Sequence, residues 1–319
     1  ELHLHLDGSL AFSLLQEEDP SLTLKQVVAK EKCEDLNEYL QKFSIPITYL
    51  QTKEHLENAC QALLQMLKED HVLYAEVRFC PFYHTKQGLS MDEVVSIVCK
   101  SLKDSETNVK VLLCMMRGAN EEENLSVLSC AQRFLNQGVV GVDLAGAEAV
   151  YPTKDYAFLF SKAKQLGIPF TIHAGEADGA SSVECAIQFG AIRIGHGIRS
   201  IEQKETIQTL KEKQITLEVC PTSNVQTNAV STYSDHPIKA LYDQGVFVTI
   251  NTDNRTVSNI TLTEEYQKLK ETFGFTEKDF IKMNEYAIAS SFLKEEEKQE
   301  ILLKFHQKVD EWENILYNK

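Results

Sequence analysis

Apolar and polar positions along this chain fall into two alternating rhythms. Short β-branched or apolar runs lie at Glu1–Asp7, Tyr74–Cys80, Val109–Met115, Val139–Ala145, Pro169–Ala174, Arg193–His196, Ile215–Val219 and Val246–Thr252. Stretches of helical period separate them. Met91–Lys103 carries Val94, Val98 and Leu102 on one face, and Ser90 with Glu93 forms a capping box before it. Ser181 with Glu184 and Ser200 with Gln203 predict the same cap on two later helices. Strands that alternate with helices pair in parallel, because parallel strands need crossover connections. Eight such units over about 250 residues fit a closed α/β barrel, the (β/α)8 TIM barrel, better than an open sheet. Nor does the chain carry a glycine-rich phosphate fingerprint of the kind an open nucleotide-binding sheet uses.

Two regions break the alternation. Residues 11–70 are helical in period and fall between the first two strands, an excursion long enough to roof the barrel mouth. From Thr261 to Lys319 the chain reads as Glu- and Lys-rich helices with solvated outer faces. Linkers, internal repeats and low-complexity tracts are lacking, so residues 1–319 are expected to form one domain.

Composition narrows the partners. Lys and Arg number 32 against 47 Asp and Glu, a net charge of −15. Charge of that sign repels phosphate backbones and anionic lipid, which argues against nucleic acid and membranes while leaving a small neutral substrate open. The eight cysteines, at 33, 60, 80, 99, 114, 130, 185 and 220, form no CxxC pair and are expected as free, buried thiols. With no signal peptide at Glu1 and no apolar run of membrane length, a cytoplasmic location is expected.

Barrel enzymes place their chemistry at the C-terminal ends of the strands, and the polar residues gather there. In the first run His3, His5 and Asp7 share one strand face and Leu2, Leu4 and Leu6 the other. Two imidazoles two residues apart suit a shared metal, although alone they also suit a half-exposed strand. His173 ends PFTIH and leads into Ala174-Gly175-Glu176; His196 ends RIGH between two glycines; Asp253 ends VFVTINTD. Each alone reads as a cap or a satisfied core group, but together they open onto one face. His3, His5, His173 and Asp253 then make a three-nitrogen, one-oxygen set suited to Zn²⁺. Glu176 is left to move protons, and His196 to orient a water or hold charge beside it. The fourth run ends Val142-Asp143-Leu144-Ala145-Gly146 with no lysine to bridge two metals, which favours a single ion. His55, His71, His84, His236 and His306 lack such placement and read as surface or packing residues.

HLHLDG at 3–8, DLAGAE at 143–148, HAGE at 173–176, GHG at 195–197, TSN at 222–224 and TD at 252–253 span nearly the whole chain. In that order they resemble the adenosine deaminase family of the amidohydrolase superfamily. The resemblance implies one zinc on His3, His5, His173 and Asp253, whose hydroxide attacks purine C6 while Glu176 protonates N1 and His196 assists the water. It further implies substrate contacts from His5, from Asp7 to the ribose 5′-hydroxyl, and from the Gly146 N–H to N3. Adenosine would yield inosine and ammonia, and 2′-deoxyadenosine, by extension, would be deaminated in the same way. Zinc deaminases that edit nucleic-acid bases carry a PCxxC signature instead, and this chain has none.

The chain departs from the family pattern in three places. Asn254 stands where a second aspartate is usual; its NH₂ can still donate to N7 without needing a raised pKa. Ala147 replaces a usual acidic residue, and GSL at 8–10 runs on without the expected Arg-Pro into a short excursion. Adenine, or a modified adenine nucleoside such as aminodeoxyfutalosine, is the alternative substrate, and Asp7 favours a nucleoside. A non-catalytic zinc scaffold would need neither Glu176 nor His196.

Overall fold

The computed structural model describes residues 1–103 and 105–317. Eight parallel strands run in chain order: β1 (Leu4–His5), β2 (Tyr74–Phe79), β3 (Asn108–Met116), β4 (Val139–Ala145), β5 (His173–Ala174), β6 (Arg193–His196), β7 (Thr216–Val219) and β8 (Phe247–Ile250). They form two sheets, β1-β2-β3-β4 and β5-β6-β7-β8. Two parallel bridges, Leu4 with Asp253 and Val142 with Phe170, join the sheets at both seams. At one seam His5 N–H donates to Asp253 O (2.8 Å) and Asp253 N–H to His3 O (3.0 Å). At the other, Val142 N–H donates to Pro169 O (3.0 Å) and Thr171 N–H to Val142 O (3.1 Å). The sheet is closed, and the barrel expected from the alternation is the fold.

Strands β1 and β5 are shorter than the predicted runs Glu1–Asp7 and Pro169–Ala174 because they lie at the seams. There the ladder reduces to single bridges, and the flanking backbone bonds elsewhere. Leu2 and His3 N–H, for example, both donate to Asn251 Oδ1. The apolar residues of the strands pack against surrounding helices such as Met91–Leu102, Glu121–Phe134 and Ala180–Phe189 in one large core.

The excursion folds as the helices Phe12–Glu18, Leu24–Val27, Leu36–Leu40, Ser44–Tyr49 and Lys53–Glu69. The capping box of Ser90 and Glu93 is present. The two other predicted caps are not. Helix Ala180–Phe189 begins one residue before Ser181, its first N–H groups facing the carboxylates of Asp178 and Glu202. Ser200 sits within a 3-10 turn, Ile198–Glu202, where its hydroxyl donates to Gly197 O. The next helix starts only at Lys204, with Gln203 at its N-cap, so Ser200 lies too far back to cap it.

Candidate active site

The C-terminal strand ends converge as the sequence implies. His3, His5, His173, Glu176, His196 and Asp253 are each at most 9% exposed. All but His3 line a cavity of about 410 Å³, with Asp7, Gly146, Ala147 and Asn254 also in its wall. Leu36, Leu40, Phe43 and Ile47 of the excursion form its apolar side, so the excursion does cover the mouth. His196 and Asp253, both non-glycine, have φ of 58° and 61°. The backbone turns sharply at His196, the last residue of β6, and at Asp253, just beyond β8, a conformation L-residues adopt at a cost. Gly195 is needed for a different reason. A Cβ there would lie 3.0 Å from His3 Cε1 and 3.2 Å from His173 Cα.

Two histidines are held by carboxylates behind them. His3 Nδ1 lies 2.9 Å from Glu218 Oε2, and His173 Nδ1 lies 2.8 Å from Asp143 Oδ2. A carboxylate only accepts, so each Nδ1 carries the proton and each Nε2 presents a lone pair. Arg78, fully buried, ties the two carboxylates together, donating to Asp143 at 2.9 Å and to Glu218 at 2.8 Å. Burial alone would raise the carboxyl of Asp143, but His173 and Arg78 overcome it and hold Asp143 well below its ordinary range.

The lone pairs meet at one point. His3 Nε2 is 3.3 Å and His5 Nε2 3.4 Å from Asp253 Oδ1, and His5 Nε2 is 3.3 Å from His173 Nε2. His3 Nε2 is buried with no hydrogen-bond partner among the described residues. Ligands at 2.0–2.1 Å on the corners of a tetrahedron stand roughly 3.3–3.4 Å apart, which is the zinc geometry. Unpaired acceptors at that spacing fit a cation.

His3, His173, His196 and Asp253 also bring four donor atoms within 4.8 Å of one another, with His196 in place of His5. Hydrogen-bond polarity bears on the choice between them. Ile238 N–H donates to His236 Nδ1 (3.1 Å), which makes that nitrogen an acceptor. Burial lowers the pKa of His236 to about 3, so the ring is neutral and its proton is on Nε2. That proton goes to Asn224 Oδ1 at 3.2 Å, and Asn224 Nδ2 donates to His196 Nδ1 at 3.0 Å. His196, itself pushed well below its ordinary pKa by burial, is therefore neutral with its proton on Nε2. A protonated nitrogen cannot ligate. This favours His5 as the ligand and leaves His196 an N–H donor at the cavity floor.

Glu176 sits 3.5 Å from His196 Nε2 and accepts from Thr227 Oγ1 at 3.0 Å. Burial first, then the charges of Asp253 and Glu148, raise its pKa well above the ordinary range. Glu148 also holds the backbone around it. Its Oε1 accepts from Gly175 N–H (2.7 Å) and Ser182 Oγ (2.5 Å). Its Oε2 accepts from the N–H groups of Glu176 (3.0 Å), Ala177 (2.7 Å) and Asp178 (3.1 Å). Burial raises Asp7 to about 6. His84 is buried on Leu50 O, away from the site.

With this geometry in place, comparison with known proteins identifies the lineage. The adenosine deaminase family model matches residues 1–308. The chain belongs to the adenosine deaminase family. The adenosine deaminase of Haemophilus ducreyi is 39% identical, over 97% of this chain and 95% of that one. That of Enterococcus faecalis is 40% identical, over 98% and 95%. Among solved structures, an adenine deaminase from Arthrobacter aurescens superposes with a TM-score of 0.86 at 26% identity, covering 97% of this chain and 98% of that one.

Sequence reasoning missed three contributors: His236, read as a packing residue, and the roles of Asn224 and Glu148, which lay inside quoted motifs without assigned chemistry. Each acts through a partner distant in sequence, a link that no local pattern carries.

Proposed function

We propose that this chain is a zinc-dependent hydrolase that converts adenosine to inosine, and 2′-deoxyadenosine to 2′-deoxyinosine, with release of ammonia. The observation that carries the reading is the convergence of His3 Nε2, His5 Nε2, His173 Nε2 and the carboxylate of Asp253 at the cavity floor beside Glu176, whose pKa burial raises. The full-length likeness to curated adenosine deaminases supports the substrate class. One Zn²⁺ fits that donor set. When bound it would supply a water acidified to a pKa of roughly 7.

The chain's own residues account for the rest. Glu176, whose raised pKa favours the protonated form, donates its proton to purine N1, which makes C6 electrophilic. Thr227 holds the other oxygen of that carboxyl, so one Glu176 oxygen remains for the substrate. His196 presents Nε2–H to the oxygen entering at C6, fixed in that tautomer by Asn224 and His236. Asp7 meets the ribose 5′-hydroxyl, Gly146 N–H meets N3, and Asn254 donates to N7. The apolar excursion helices exclude bulk water from the ring. The reaction consumes one water and releases the C6 amine as ammonia.

Residues 1–319 are read as one barrel domain. None of the described helices is long and apolar enough to cross a membrane. The eight free cysteines support the reading of a reducing, cytoplasmic setting. The expected partner is a small purine nucleoside rather than nucleic acid or membrane. A substrate panel of adenosine, 2′-deoxyadenosine and adenine tests the reading. Turnover of both nucleosides well above adenine is expected; preference for the free base would remove Asp7 from recognition and overturn it.

A further inference from the structure

Tyr39 belongs to the excursion, in the helix Leu36–Leu40, and its hydroxyl is carried into the polar floor of the cavity. The residue is 2% exposed. Asn254 Nδ2 donates to Tyr39 Oη at 2.9 Å, and Tyr39 Oη lies 2.7 Å from Ser258 Oγ. Asn254 also lines the cavity, and its Oδ1 is buried with no hydrogen-bond partner among the described residues. That oxygen lies over Gly8: a Cβ on Gly8 would come within 1.8 Å of it. The amide is therefore wedged between a glycine that offers no side chain and a phenol that accepts one of its two hydrogens.

We propose that Tyr39 is a positioning residue for substrate recognition, acting through Asn254. By accepting one amide hydrogen it fixes the plane of the Asn254 side chain and leaves the second hydrogen for a ring nitrogen of the purine. A hydrogen bond to Ser258 Oγ, in which either hydroxyl can donate, holds the Tyr39 hydroxyl in place. A primary amide has two donors and one acceptor with no intrinsic preference for either orientation. Without the hydroxyl, Asn254 would be free to turn and present its oxygen to the ring nitrogen, where two lone pairs repel. The hydroxyl comes from the excursion and the amide from the loop after β8, so recognition of the ring depends on the excursion being seated. This inference rests on the reading of Asn254 as the N7 donor.

The test is Tyr39→Phe, which keeps the ring in the apolar wall and removes one oxygen. Wild type and variant are compared by KM and kcat for adenosine and by the inhibition constant of 7-deazaadenosine, which has a C–H in place of N7. The adenosine KM is expected to rise about 5- to 30-fold, the scale of one buried hydrogen bond. kcat should change less than KM, and the 7-deazaadenosine constant should stay within twofold. Equal losses for both ligands would overturn the inference, since the hydroxyl would then serve packing alone. An unchanged adenosine KM would overturn it as well. Absence of adenosine turnover in the wild type would overturn the substrate reading and this inference together; the two preceding outcomes leave the substrate reading standing. Melting temperature and metal content, expected unchanged, distinguish positioning from loss of fold.

Discussion

Glu148→Gln isolates the scaffold that holds Glu176. The carboxylate accepts four backbone N–H groups and one hydroxyl on two oxygens. Glutamine has one oxygen. In its better orientation that oxygen keeps the N–H groups of Glu176, Ala177 and Asp178, and its NH₂ then faces Gly175 N–H and Ser182. The serine hydroxyl can turn and accept, but a backbone N–H cannot. One buried donor is left unpaired, at about 1–3 kcal/mol. Three charge-assisted bonds become neutral ones of roughly half the strength, about 1 kcal/mol each. The loss is about 4–6 kcal/mol, enough to let the loop after β5 move rather than stay strained. With about 2 °C per kcal/mol for a large domain, the melting temperature should fall by about 8–12 °C. A misplacement of about 1 Å costs on the order of 10²-fold in rate, so kcat for adenosine should fall at least that far. Because the Glu148 charge helps raise Glu176, any remaining activity should have its alkaline limb shifted to lower pH. Calorimetry and a pH–rate profile read both effects. A melting temperature within 1 °C and kcat within about twofold of wild type would refute the reasoning.

The other predictions are separable. Asn224→Ala should retain metal while kcat falls about 10- to 100-fold, the usual effect of removing a group that orients a site histidine; loss of metal would make His196 a ligand after all. His173→Ala should lose metal and activity together, and a metal-replete, active variant would overturn the ligand set. Burial holds His84 down at about 4 against an ordinary 6.5. As pH falls below 6.5 the unfolded chain takes up this proton and the folded chain does not. Its stability contribution, about 3 kcal/mol, is complete above 6.5 and lost as pH falls toward 4. His84→Gln should therefore flatten the melting-temperature slope between those values, and an unchanged slope would show that His84 is not the group responsible.

The barrel was legible because its alternation is local and repeated. The site residues were legible because they end strands, so His3, His5, His173, His196 and Asp253 could be placed without coordinates. What was not legible depends on contacts across the chain. His236 reaches His196 only through Asn224, 12 and 28 residues away in turn. Tyr39 meets Asn254 across 215 residues. The caps expected from Ser181 and Ser200 failed for a similar reason. Glu202, distant in sequence, faces the first N–H groups of the helix that starts before Ser181, and a 3-10 turn takes up Ser200 ahead of the next helix; no local pattern shows either.

The most direct measurement is conversion of adenosine to inosine, followed by ultraviolet absorbance, on protein with zinc, after a chelator, and after zinc is restored. Glu176→Gln is run alongside with its metal content measured. The account predicts turnover that the chelator abolishes and zinc restores, with the variant binding zinc but slower by at least about 10²-fold. Chelator-resistant turnover, or full activity in the Glu176 variant, would contradict it.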